Sequence, residues 1–362
     1  MHVQPITFHR SPPKLSEILK PKDLVVYLKT TETCQLNCKH CFTNGTNGKK
    51  IYFNPQKTIE WFNKLHAEFP TFGGGSIIFH GGEPFLAPLD DMYEVWKEVS
   101  VLWPNLRWSC SSNLCFNMTD EHLEFFDVVL KNGFCTSWDK NIRFENDKQE
   151  ALWRKNLKTL VDRNHNITLN ISLNAQLLVM NPIELVKWLN TLGVKYVQFE
   201  RLTHDGSAKI NDEIFPSNKQ LDSWFVKMHE VYREIKPLYY DVLLEGVYSS
   251  ITKGIHGGVR CRDCEQKIFT INADGSVSGC PNSAVGNSFG SIEQPINSLL
   301  GSSGRINNIT CEAARDERCY TCDVFDICNS DCHQLKWQED VCAAPKTLMQ
   351  RLKNDDARRW SN

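Results

Sequence analysis

Residues 24–28, Leu24-Val25-Val26-Tyr27-Leu28, followed by Cys34-Gln35-Leu36-Asn37-Cys38-Lys39-His40-Cys41-Phe42, decide how this chain reads. A five-residue apolar run bounded by polar residues is the pattern of a buried strand. It ends just before three thiols spaced Cys-x3-Cys-x2-Cys, and three soft ligands on one short loop point to a metal centre. A cubane [4Fe–4S] cluster in its closed electron-transfer form takes four cysteines, so three thiolates leave one iron open to a substrate or cofactor. A zinc loop completed by His40 or a distant residue, or a set of reduced core thiols, is compatible with the same spacing.

Outward from this loop the chain alternates. Asn54-Pro55 opens a helix whose apolar face is Ile59, Phe62, Leu65 and Phe69. The strand Ile77-Ile78-Phe79-His80 runs into Gly81-Gly82-Glu83-Pro84, and the next helix carries Met92, Val95, Val99 and Leu102. Further strands fall near 107–111, 133–137, 167–173 and 196–200, with helical patterns at Leu123–Leu130, Leu152–Leu160 and Ile183–Leu192 between them. Strands separated by helices imply a parallel sheet with right-handed crossovers. The fold class is therefore α/β, with six βα units curled into a partial (β/α)6 TIM barrel and functional loops at the C-terminal strand ends. Both the Cys34 loop and the Gly81-Gly82 turn fall at such ends. Three segments are expected: a polar, Pro-rich N-terminal extension (1–22), the barrel core (23–240) and a small cysteine-rich domain (241–362). In the last, Asn272-Ala273-Asp274-Gly275 reads as a hairpin turn.

Of the 15 cysteines, Cys34, Cys38 and Cys41 lie together and nine more fall between Cys261 and Cys342. The N-terminus lacks an apolar export signal. That favours a cytoplasmic location, where disulfides are rare and clustered thiols bind metal. With 41 Lys+Arg against 43 Asp+Glu the net charge is −2, which gives no general attraction to nucleic acid or to anionic membrane. No apolar run approaches the ~20 residues needed to cross a bilayer.

The three-cysteine loop after the first strand, with His40 before the third Cys, resembles the radical S-adenosylmethionine (SAM) superfamily. Gly81-Gly82-Glu83-Pro84 resembles that family's glycine-rich element after the second strand, where backbone groups and the Glu face the SAM amino group. Ser111-Ser112-Asn113, after the third strand, matches a place where the family has ribose or carboxylate contacts, and Ser137-Trp138-Asp139 resembles its Ser-x-Asp. The resemblance makes His40, Phe42, Gly81, Gly82, Glu83, Ser112, Asn113, Ser137 and Asp139 candidate cofactor-binding residues. It implies SAM chelated to the open iron of a cluster on Cys34, Cys38 and Cys41, and reductive cleavage to a 5′-deoxyadenosyl radical that abstracts a hydrogen atom.

The C-terminal array resembles, cysteine for cysteine, the SPASM extension of the same superfamily. Cys264 precedes Gly275 and Cys280; then come Cys319-x2-Cys322-x5-Cys328-x3-Cys332 and Cys342. By the family's connectivity, Cys261, Cys264, Cys280 and Cys332 hold one auxiliary [4Fe–4S] cluster, and Cys319, Cys322, Cys328 and Cys342 a second, giving three clusters in all. Two four-cysteine zinc sites are the alternative. Cys110, Cys115, Cys135 and Cys311 remain, and most are expected to be buried thiols.

SPASM enzymes mostly modify peptides, so the resemblance implies a ribosomally made precursor peptide as substrate, with crosslink formation or backbone excision. Alternatives are a maturase of the sulfatase-maturing type and a non-catalytic zinc- or cluster-stabilised scaffold that binds a peptide. Sulfatase-maturing members carry an Asp directly after the cysteine equivalent to Cys280; here that residue is Pro281, which cannot accept a proton. With only residues 1–22 before the first strand, leader recognition is expected to need a separate leader-peptide-binding protein or another surface. A reductase, flavodoxin or ferredoxin is the expected electron donor. For the proton released after hydrogen abstraction, Glu200 at the end of the sixth strand is the candidate acceptor, with Glu245 and Asp139 as alternatives.

Overall fold

The computed structural model describes residues 19–355 apart from Asn44 and Val285. Most of the expected N-terminal extension, residues 1–18, lies outside the described residues. Strand β1 (Leu24–Thr31) is followed by α1 (Pro55–Glu68), β2 (Gly75–Gly81), α2 (Leu89–Val99), β3 (Arg107–Ser112), α3 (Asp120–Val128) and β4 (Phe134–Ser137). Then come α4 (Asp147–Asp162), β5 (Ile167–Leu173), α5 (Pro182–Thr191), β6 (Tyr196–Arg201) and α6 (Asn218–Glu234). The alternation expected from the sequence is present, and β1 to β6 pair as parallel neighbours in chain order.

Local chemistry places the boundaries. Asn54, Asn146 and Asn181 cap α1, α4 and α5 through their side-chain oxygens, with Pro55 and Pro182 in the first turns. Thr119 and Ser217 each begin a capping box, opening α3 and α6. The face that α1 buries is Thr58, Trp61, Phe62 and Leu65, with Ile59 half-buried and Phe69 at the C-cap. The expected stripe of Ile59, Phe62, Leu65 and Phe69 packs in or against the core, and Trp61 joins it, in contact with Phe62 and with Phe269 of the sheet.

Strand alternation divides the barrel wall. Ile167, Leu169, Ile171 and Leu173 of β5 are fully buried, while Thr168, Asn170 and Ser172 take the opposite face. In β1, Leu24, Val26 and Leu28 are fully buried and Tyr27 faces the barrel interior. Burying one Leu or Val side chain contributes about 1.5–3 kcal/mol, so a one-residue slip that turned this face inward would be costly.

The sheet does not stop at six strands. A two-residue β7 (Tyr240–Asp241), spanning the boundary expected at 240, pairs with β6 and leads into α7 (Val242–Lys253). At the other edge β8 (Ile268–Ile271), from the cysteine-rich segment, pairs in parallel with β1, then antiparallel with β9 (Ser276–Ser278), which pairs with β10 (Gly290–Ser291). The β8–β9 turn is at the expected Asn272–Gly275, where Gly275 takes φ +82°. Helices in this segment include α7, α8 (Ser303–Ala313) and α9 (Lys346–Asn354). Among the described residues no helix is long and apolar enough to cross a membrane.

Candidate functional site

Six strands contribute inward-facing residues to one cavity of about 230 Å³. Tyr27, His80, Ser111, Ser137, Ser172 and Glu200, one from each of β1 to β6, face it, which shows the sheet curled into a partial barrel. Cys34, Cys38 and Cys41 lie in its wall with Phe42, Gly81 and Gly82.

The cysteine loop is held from three directions. The amide of Lys39 donates to the Ile142 carbonyl (2.9 Å), that of Ser207 to the Cys41 carbonyl (2.7 Å), and the Asn211 side chain to the Lys39 carbonyl (3.0 Å). Gly206, at φ +54°, passes so close that a Cβ there would lie 2.2 Å from the Cys41 carbonyl oxygen. The Cys34 sulfur accepts from the Leu36 amide (3.4 Å) and the Asn113 side chain (3.3 Å). Burial pushes the Cys34 and Cys38 thiols up to about 12, so coordination there would release protons.

Gly81 and Gly82 allow a close approach, and the neighbour they approach is the backbone leading into Cys34. A Cβ on Gly81 would stand 2.3 Å from the Thr31 carbonyl oxygen, and one on Gly82 2.0 Å from that of Thr33. The amides of Gly82 and Glu83 donate to these same carbonyls, each at 3.0 Å. Glu83 does not line the cavity. Its fully buried carboxylate accepts from the Ser112 hydroxyl (2.8 Å), the Phe85 amide (3.3 Å) and the Asn113 amide (2.7 Å), tying the end of β2 to the end of β3. Burial raises its pKa to about 7. The residue assigned to face the SAM amino group thus stands behind the wall, supporting Ser112 and Asn113, which do line it.

Asp139 also lies behind the wall. Its carboxylate pairs with His40 Nε2 (3.2 Å) and Arg143 Nε (2.6 Å) and accepts from the Ser172 amide (2.6 Å). Burial alone would raise its pKa, but Arg143 and His40 hold it well below the usual carboxylate range. The imidazole of His40 lines the cavity with its Nδ1 buried and unpartnered. His80, beneath Phe42 in a stacked pair (5.8 Å), presents a second unpartnered Nδ1.

Glu200 is the only carboxylate among the described residues that line the cavity. It is open to the cavity but enclosed by protein, and this desolvation, with a smaller contribution from Asp139, raises its pKa to about 7. Glu245, in the first turn of α7, does not line the cavity. Of the four cysteines left over, Cys110 and Cys115 are buried as expected; Cys311 is exposed, on the outer side of α8, and Cys135 lines the cavity.

The C-terminal cysteines gather around a second cavity, of about 40 Å³, lined by Cys319, Cys322, Cys328, Cys332 and Cys342. Four of these are the set that the resemblance gives to one auxiliary cluster. Burial raises the thiols of Cys264, Cys280 and Cys332, with a smaller contribution from Cys280 at Cys264 and from Cys332 at Cys280. Cys261 turns its sulfur to the His256 carbonyl (2.5 Å). Between Cys328 and Cys332 the chain makes a left-handed turn, with φ of +51°, +66° and +51° at Asn329, Ser330 and Asp331. Each such non-glycine residue costs roughly 1 kcal/mol. A buried fork offsets that cost: Arg201, on β6 beside Glu200, donates two hydrogen bonds to the Asp331 carboxylate (2.7 and 2.8 Å) and one to the Ala343 carbonyl (3.1 Å). Among the described residues no three His, Cys, Asp or Glu side chains converge to share one metal ion.

No protein-family model matches the sequence, and the comparison with curated proteins finds no match. Among solved structures the chain is similar to native anSMEcpe with bound AdoMet and Cp18Cys peptide, at TM-score 0.73 and 15% identity, covering 91% of this chain and 95% of that one. It is also similar to Streptococcus suis SuiB bound to S-adenosylmethionine, at TM-score 0.61 and 11% identity over 90% of this chain and 78% of that one. SuiB bound to precursor peptide SuiA gives TM-score 0.59 and 13% identity, covering 89% and 74%. The chain shares the fold of anSMEcpe.

This fold supplies more cavity residues than the sequence reading named. Ser109, Asn170, Ser172, Arg143 and Thr203 face inward. The signal for Asn170 and Ser172 was present in β5 as polar residues at every second position between aliphatic ones. Arg143 had no comparable signal, because its place depends on how the loop after β4 folds back over Asp139. The donor set suits the groups the fold family implies: three thiols, two unpartnered imidazole nitrogens, and serine and asparagine side chains on one wall.

Proposed function

We propose that this chain is a radical SAM enzyme that modifies a peptide, and that the peptide is a ribosomally made precursor in which a crosslink is formed or a backbone segment excised. The observation that carries the reading is the meeting, in one barrel cavity, of three loop thiols at the C-terminal strand ends with a single carboxylate, Glu200. Cys34, Cys38 and Cys41 would hold a [4Fe–4S] cluster, with Gly81, Gly82, Ser112, Asn113, Ser137, His40 and Phe42 around SAM. Bound there, these groups supply the one-electron chemistry that removes a hydrogen atom from an unactivated carbon.

The protein's own part is positioning and proton transfer. Asp139, itself paired with Arg143, fixes the His40 ring from behind, and Glu83 fixes Ser112 and Asn113 in the same way. Glu200, with a pKa near 7, takes up the proton released when the substrate is oxidised. The eight C-terminal cysteines Cys261, Cys264, Cys280, Cys332, Cys319, Cys322, Cys328 and Cys342 would hold two auxiliary clusters that accept the accompanying electron. One cavity lined by five thiols, four of them the set that the SPASM resemblance gives to one cluster, supports clusters over zinc. Pro281 and Asn282 lie in the cavity wall, and neither is a proton acceptor, so a sulfatase-type maturation would also have to use Glu200. A flavodoxin- or ferredoxin-type donor, a separate leader-binding protein and a cytoplasmic setting complete the proposal.

Anaerobic reconstitution followed by iron, sulfide and zinc analysis tests it, together with incubation with dithionite and SAM. About twelve irons per chain and release of 5′-deoxyadenosine support the enzyme. Two zincs, little iron and no SAM cleavage leave a peptide-binding scaffold.

A further inference from the structure

The left-handed turn between Cys328 and Cys332 presents one polar atom with no role in holding the protein together. The Ser330 hydroxyl oxygen is buried and has no hydrogen-bond partner, while Ser330 lines the five-cysteine cavity. Its neighbours are fully engaged. Asn329 donates through its side chain to the Arg260 carbonyl (2.7 Å), and Asp331 is gripped by Arg201 and accepts from the Cys332 amide (2.7 Å). The Asp331 carbonyl accepts from Arg262 (2.8 Å).

These anchors on both sides fix the backbone at Ser330 in the left-handed region, at φ +66°. A right-handed backbone would carry the side chain elsewhere. A hydroxyl is costly to bury unpaired. Apart from Trp337, Lys346 and Asp331, whose two oxygens are already taken by Arg201 and the Cys332 amide, the rest of this cavity is thiols and apolar side chains such as Val324, Phe325, Leu335 and Ala343. Sulfur is the acceptor chemistry the cavity offers.

We propose that the Ser330 hydroxyl donates a hydrogen bond to a sulfur of the iron–sulfur cluster held in this cavity and so sets the cluster's reduction potential. The inference rests on the cluster reading given under Proposed function. The added electron makes the sulfurs stronger acceptors, so a hydroxyl donor favours the reduced state and raises the potential. The Arg201–Asp331 fork holds that donor in place from the barrel side.

The test uses full-length protein in a Cys38→Ser background, so that the barrel cluster does not contribute, with an EPR-monitored redox titration and iron analysis. Ser330→Ala removes only the hydroxyl and keeps the Cβ that the parent already carries at this φ; Ser330→Gly removes the whole side chain and relaxes the left-handed backbone, and Ser330→Thr keeps the hydroxyl. The expected result is a shift of one auxiliary midpoint to more negative potential in both Ser330→Gly and Ser330→Ala, with the other midpoint and the iron content unchanged and Ser330→Thr close to the parent. Unchanged midpoints at full iron content overturn the proposal, as does a shift in Ser330→Gly without one in Ser330→Ala, which would be a backbone effect. Loss of iron in Ser330→Ala also overturns it, since the hydroxyl would then serve assembly. A parent protein that binds zinc in place of iron defeats the cluster reading itself, an outcome separate from iron-loaded protein with an unshifted potential.

Discussion

The two thiol-lined cavities are built in opposite ways. The barrel cavity takes its wall from regular strands, so Ser111, Ser137, Asn170, Ser172 and Glu200 face inward because the pleat leaves them no other direction. The five-cysteine cavity is made by single helical turns, Glu317–Tyr320 and Phe325–Cys328, and by a left-handed turn whose backbone is disfavoured on its own. There the geometry depends on individual anchors, of which the Arg201–Asp331 fork is the most buried. Strand periodicity makes the first cavity tolerant of most single changes outside its thiols and its carboxylate. The second depends on its bound group and on a few side chains.

The largest effect separates the two cavities. Cys38→Ser should abolish 5′-deoxyadenosine release and lower iron by about four per chain, leaving the C-terminal clusters visible by EPR; loss of all iron would show that the cavities assemble as one unit. Glu200→Gln should next lower product formation by on the order of 10²–10⁴-fold with SAM binding retained. Because the acceptor must be ionised and its pKa is raised to about 7, wild-type turnover should rise with pH through about 7 and the variant should lose that rise. A flat wild-type profile would remove Glu200 from the chemistry.

Gly82→Ala tests the seam between β2 and the cysteine loop. Its Cβ would meet the Thr33 carbonyl at 2.0 Å, so chemical denaturation should show a loss of about 3 kcal/mol or more. Glu83→Gln is the mildest change, replacing an oxygen acceptor of the Asn113 amide by a donor, at about 1–2 kcal/mol. The folded pKa of Glu83 is raised from 4.5 to about 7, so its stabilising contribution is complete below pH 4.5 and declines as pH rises through 7. The stability gap between wild type and Glu83→Gln should therefore narrow over that window, and a gap independent of pH would mean that Glu83 is ionised throughout.

Much of the barrel was legible in the chain itself. The strands at 24–28, 77–80 and 167–173 and the Asn272–Gly275 turn were marked by apolar runs, alternation and turn chemistry, all local properties. Glu200 was legible as a charged residue at a strand end. The roles of Glu83 and Asp139 were not, since a carboxylate in a loop carries no mark of whether it faces a cavity or the back of its wall. Cys135 looked like a core thiol for the same reason: β4 is only four residues long, too short for its alternation to show which face was inside.

What the sequence determined by itself was the periodic and the covalent: where strands and helices run, and the spacing of thiols along the chain. Only the tertiary structure decided the joins. It put β8 against β1, so that the cysteine-rich segment extends the barrel sheet, and it brought Arg201 from β6 to Asp331 between two cysteines 130 residues downstream. Pairings of this kind depend on which surfaces meet after collapse, and no local pattern of residues encodes them.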